Sequence, residues 1–149
     1  MRSTAVPESL SPDGRDDDNA VMTDSAKTLI HGISTVGIPV TDQDRALAFY
    51  RDTVGLDVLM DAPLPGGSAR WIMLAPPGAS VSVSLVAASD GVPAGVETGI
   101  RFAAGDAQAV YDAFRERDVP VGELLRWPGV PAMFQAHDPD GNGFEVVEG

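Results

Sequence analysis

Residues 33–56 read ISTVGIPVTDQDRALAFYRDTVGL. Ile33 to Val40 is apolar and β-branched, the pattern of a buried strand. Thr41-Asp42-Gln43-Asp44 then breaks the run and looks like a helix start, with Thr41 or Asp42 as N-cap. Leu47, Tyr50 and Val54 follow at i, i+3, i+7, with Ala46 and Phe49 beside them. That spacing predicts an amphipathic helix of about three turns, and Gly55 ends it. Three strand-like runs come next, Leu56–Met60, Arg70–Leu74 and Ser80–Val86, separated by Pro- and Gly-rich turns at 63–67 and 76–78. The order is β-α-β-β-β.

The same order recurs. Thr98–Ala103 reads as a strand, and Asp106 opens a helix whose apolar positions are Ala107, Val110, Tyr111 and Phe114. Val121–Trp127, Ala132–His137 and Phe144–Glu148 give three more strands. Shifting the first half by 62 residues puts Gly37-Ile38 on Gly99-Ile100 and Asp44 on Asp106. An internal duplication explains this better than chance. The expected fold class is α+β, two tandem βαβββ modules whose half-open sheets surround a shared cavity. Module one spans about 33–86 and module two about 97–149, within a domain of residues 28–149.

Composition narrows the function. The 149 residues are 44% hydrophobic and 21% charged, enough to bury one core. A net charge of -12 argues against nucleic-acid partners, which require cations to displace counterions, and against an anionic membrane surface. No cysteine is present, so thiolate metal sites, disulfides and cysteine nucleophiles are excluded. No apolar run approaches the ~20 residues of a membrane span, and no basic-then-apolar opening marks a secretory signal. A cytoplasmic location is therefore the expectation. Residues 1–27 are rich in Ser, Thr, Pro, Gly and Asp, including Asp16-Asp17-Asp18, and read as a disordered acidic tail.

Three stretches carry a resemblance. They are Val40–Tyr50 ending in Phe49-Tyr50, the helix exit Asp52-Thr53-Val54-Gly55-Leu56, and Asp138-Pro139-Asp140-Gly141-Asn142 followed by Glu145. Together they resemble the vicinal oxygen chelate superfamily, the glyoxalase, bleomycin-resistance and extradiol-dioxygenase fold, over about residues 33–149. The resemblance implies one concave cavity between paired modules, a small-molecule ligand and a homodimer. Strand parity then selects the inward-facing residues. These are Thr35, Gly37 and Pro39, Trp71 and Met73, Ser82 and Ser84, Glu97, Gly99 and Arg101, Met133 and Gln135, and Glu145 and Val147.

Metal-dependent members of the resembled family place His, Glu or Gln ligands on the first and last strand of each module. The positions carried over here are Thr35, Ser82 or Ser84, Glu97 and Glu145, of which only the two Glu residues are competent. The expectation is therefore no cofactor; a divalent metal, if bound, would use Glu97 and Glu145. The histidines, His31 and His137, fall outside those positions. Glu97 and Glu145 can act as a general acid/base pair if the fold buries them together. Arg101 either binds a ligand carboxylate or phosphate or pairs with Glu97. Trp71, Met73, Trp127 and Met133 offer a polarisable wall for a flat organic ligand, or ordinary core packing. Asp138-x-Asp140-x-Asn142-Gly143 imitates the start of a calcium loop. The bidentate Glu such a loop requires is replaced by Gly149, so the stretch reads as a tight turn.

The leading expectation is a protein that encloses a small organic molecule in an apolar cavity, as a sequestering protein or a metal-independent enzyme. The alternative is a metal-dependent lyase, isomerase or dioxygenase using Glu97 and Glu145.

Overall fold

The protein was examined as a computed structural model, which describes residues 29–149. The tail expected over residues 1–27 lies outside the described residues. Among the described residues regular structure begins at β1 (Thr35–Val40), two residues after the apolar run opens. The Asp42 carboxylate, not Thr41, caps α1 (Gln43–Ala48) by accepting from the Arg45 N–H at 3.0 Å. α1 runs on into a π-helical segment, Phe49–Val54. β2 (Asp57–Pro63), β3 (Arg70–Ala75) and β4 (Ser82–Ala87) complete a four-stranded sheet of order β1-β4-β3-β2. β1 and β4 are parallel and the other pairs antiparallel.

The second module repeats this with β5 (Glu97–Ala104), α2 (Ala107–Glu116), β6 (Met133–His137) and β7 (Gly143–Glu148). Its sheet has three strands, in the order β5-β7-β6. The fourth strand expected over Val121–Trp127 is reduced to two isolated bridges, Val121 to Ala136 and Leu125 to Met133. Gly122 and Leu125 still donate to Gln135 and Met133 carbonyls at 2.8 Å, but the chain between them leaves the ladder. Pro128 then ends any pairing, since it has no N–H to offer.

The internal repeat is real, but its shift is not constant. Thr35 and Glu97, the strand starts, are 62 residues apart, whereas the two N-caps, Asp42 and Asp106, are 64 apart. Asp106 thus corresponds to Asp42 and not to Asp44. The two extra residues sit in a bulge of β5, where pairing with β7 jumps from Glu97–Gly143 to Arg101–Glu145. Gly99 occupies the bulge at φ 75°, and the Thr98 hydroxyl holds it by donating to the Gly143 carbonyl at 2.7 Å.

Burial follows the expected alternation. Ile38 and Val40, Ile72 and Leu74, Val83 and Leu85, Phe134 and Ala136, and Phe144 and Val146 lie in one core beneath the helices. The modules share that core: Phe49 and Tyr50 reach Phe144 with ring centroids 6.4 and 6.2 Å apart. A buried polar clasp joins them as well. Tyr50 donates to Asp138 Oδ2 at 2.8 Å, and the Asn142 amide donates to the Pro39 carbonyl at 2.8 Å.

Candidate functional site

Two sheet faces point away from the shared core and carry the residues singled out above. On the first sheet, Trp71 and Met73 alternate with the fully buried Ile72 and Leu74. Trp71 is 37% exposed and leaves apolar ring surface open to solvent. Ser82 and Ser84 on β4 are buried on the same side, Ser84 paired in register with Met73 and with Gly37. Thr35 lies at the end of this face, opposite Ser82. Its Oγ1 is buried and has no hydrogen-bond partner among the described residues. Such a group costs about 1–3 kcal/mol of desolvation if it stays unsatisfied.

The second face is polar. Gln135 donates to Glu97 Oε1 at 2.7 Å, and the His137 Nε2 stands 3.7 Å from Glu97 Oε2. Arg101 pairs with Glu145 at 2.6 Å, and not with Glu97 as the simple-pair reading had it. The bulge is the reason: an unbroken ladder from Glu97–Gly143 would set Arg101 opposite Val147, and the two extra residues set it opposite Glu145 instead. Glu97 folds back over β7 instead, against Gly143. A β-carbon there would meet the Glu97 carboxylate, so a side chain at 143 would make that flexible, exposed carboxylate swing aside. A small cavity of about 130 Å³ opens at the bulge, lined by Glu97, Gly99, Arg101, Gly143 and Glu145 among others. Sequence reasoning placed Glu97, Arg101 and Glu145 on one face but could not see Gly143, whose signal is only a missing side chain.

Met133 is half-buried and Trp127 is exposed, flanking the bridge between Leu125 and Met133. The two carboxylates proposed as an acid/base pair share the cavity at the bulge, yet the Glu97 side chain is 66% exposed. No hydrogen bond or ion pair among the described residues joins the Thr35–Trp71 face to the Glu97–Glu145 face. On this face Glu97 is engaged by Gln135 and Glu145 by Arg101. Among the described residues no three His, Asp or Glu side chains group as a cage. No helix among them is long and apolar enough to cross a membrane.

Three similarities bear on this arrangement. The chain is 32% identical over 126 residues, 80% of its length and all of the relative's, to the uncharacterised protein YetH of Bacillus subtilis. It resembles TnmS3, an antibiotic-binding protein from Streptomyces sp. CB03234, with a TM-score of 0.71 and 33% identity over 80% of this chain and 96% of that one. A superfamily member from Sphaerobacter thermophilus matches with a TM-score of 0.74 and 32% identity, over 81% and 99% of the two chains. Residues 32–146 match a family profile. The βαβββ repeat, its two open sheets and that match make the chain a member of the Glyoxalase/Bleomycin resistance protein/Dioxygenase superfamily.

Proposed function

We propose that the protein encloses a small, largely aromatic organic molecule between a module-one face and a module-two face, either to sequester it or to transform it without a metal. The observation that carries this reading is the exposure of Trp71 beside Met73 on a strand whose alternate residues, Ile72 and Leu74, are fully buried. An indole and a thioether side by side form a polarisable wall for a flat ligand. The Thr35 hydroxyl and the Glu97–Gln135 pair supply hydrogen-bonding groups at its ends. The antibiotic-binding character of TnmS3 supports a small organic ligand here too. In this reading the two faces come from two copies of the chain, so that a homodimer holds two equivalent sites.

A titration with a panel of aromatic antibiotics tests it, read by tryptophan fluorescence and native mass spectrometry. Trp71→Ala should weaken binding by about 2 kcal/mol, roughly 30-fold. Glu145→Gln, which keeps the shape and removes the charge, should change it little. Unchanged ligand recovered after long incubation marks sequestration; a new product marks catalysis. The enclosure reading falls if the purified protein holds a stoichiometric divalent metal that Glu145→Gln removes while Trp71→Ala binds as before. A metal-dependent lyase, isomerase or dioxygenase would then take its place.

A further inference from the structure

On the opposite side of the second sheet, a cavity of about 170 Å³ lies where the two modules meet. Val54 and Leu56, at the exit of the module-one helix, form one wall. Phe102 on β5 and Phe144 on β7 form the floor, and Val110 and Phe114 on α2 close the far side. Every lining residue is apolar. We infer that this is a second small-molecule site, selective for an uncharged single-ring aromatic or a hydrocarbon of similar size.

Three observations lead there. The first is size. The space is an apolar cleft half open to solvent, and ~150 Å³ of apolar space is large enough to take a benzene-sized guest. The second is polarity. No side chain lining the cleft offers a hydrogen bond, so any polar group in it finds only backbone atoms and the solvent at its mouth. Charged guests are excluded for the same reason. The third is ring geometry. Phe144 meets Phe102 at 5.4 Å and 83°, and Phe114 at 6.4 Å and 80°, both edge to face. Rings standing at right angles present both faces and edges to a guest, the arrangement aromatic partners prefer. The site is independent of the enclosure proposed above. Phe102 and Phe144 are the core-side neighbours of Arg101 and Glu145, so one sheet thickness separates the two.

The full-length protein titrated with toluene, with benzoate as the charged control, provides the test, read by calorimetry and thermal melting. Toluene should bind once per chain with Kd on the order of 0.1–1 mM. It should raise the Tm by roughly 3 °C at ten times that concentration, while benzoate at the same concentration does nothing. Val110→Phe, which fills the space, should weaken toluene at least tenfold without lowering the Tm of the free protein. Val54→Met should act in the same direction from the opposite wall and carries the test if Val110→Phe does not fold. Trp71→Ala should leave toluene binding unchanged. The inference is overturned if toluene does not saturate, if benzoate competes with it, or if Trp71→Ala abolishes binding that both filling variants keep.

Discussion

Asp138 and Asn142 bring the two modules together with no hydrogen-bonding capacity left over. Asp138 accepts from the Asp140 and Asn142 N–H groups through one oxygen, and from Tyr50 and the Asn142 amide through the other. Asn142 also accepts from the Gly95 and Val96 N–H groups and donates to Pro39. Read as a turn, the Asp-Pro-Asp-Gly-Asn stretch is legible in sequence; its grip on Tyr50, 88 positions away, is not. Asn142→Ala would leave the partly buried Gly95 and Val96 N–H groups and the buried Pro39 carbonyl without this partner. It should cost about 3 kcal/mol or more, measured by urea unfolding. A loss under 1 kcal/mol would mean that water replaces the amide. Burial, and after it the Asp138 carboxylate, push the Tyr50 phenol well above its ordinary value near 10. The fold therefore holds the neutral phenol. Its contribution is complete below about pH 10 and drains away as the pH climbs past that value, where an unfolded chain's tyrosine ionises. Melting curves from pH 8 to 11 should fall more steeply for the parent than for Tyr50→Phe above pH 10. Parallel curves would contradict the assignment.

The two modules, compared element by element, show where a duplicated pattern has been adjusted. Module one spends 12 helical residues, Gln43–Val54, between its N-cap and Gly55. Module two has one residue fewer before Asp118, the ten helical residues Ala107–Glu116 and the cap Arg117. The extra residue is absorbed as the wide π turn of Phe49–Val54, just as β5 absorbs two extra residues in a bulge. Neither device was legible, because an inserted residue in a helix or strand leaves the local apolar pattern nearly intact. Both helices end alike. Val119 donates to the Phe114 carbonyl at 2.9 Å and Asp118 to Arg115 at 3.2 Å, a left-handed cap whose Val119–Phe114 contact is buried. Module one puts Gly55 at the left-handed position, with φ 94°; module two puts Asp118 there, with φ 59° and a negative charge at the helix's negative end. Asp118→Gly should therefore stabilise the protein by about 0.5–1 kcal/mol. A lower Tm for that variant would show that the Asp118 side chain makes a contact worth more than the backbone strain.

For the whole molecule, the exposed apolar surface lies away from the shared core. Trp71, Trp127 and the edge-strand residues Val58, Leu59 and Met60 are exposed, and β2 is an open sheet edge. Uncovered strands and patches of this kind invite pairing. Light scattering at micromolar concentration should give twice the chain mass of 15.5 kDa. With a net charge of -12 on each copy, association should tighten as salt rises from about 20 to 300 mM, because screening relieves their repulsion. A monomer at both salt concentrations would leave each site with one face and would count against enclosure between copies.

Periodicity, turn residues and the three motifs were enough, with no coordinates, to place the helices, most strands and the repeat, and to set Trp71, Met73, Glu97, Arg101, Gln135 and Glu145 on sheet faces opposite the core. These are local properties: side-chain direction in a strand alternates with a period of two, so one anchored residue orients the rest. Tertiary structure alone decided that Arg101 pairs with Glu145, that Gly143 makes room for the Glu97 carboxylate, and that Val121–Trp127 pairs only at two points. It also decided that an apolar cavity remains where the modules meet. Each of these depends on how far two distant segments have slid past one another. That offset is set by packing the whole core at once, and no window of sequence contains both partners.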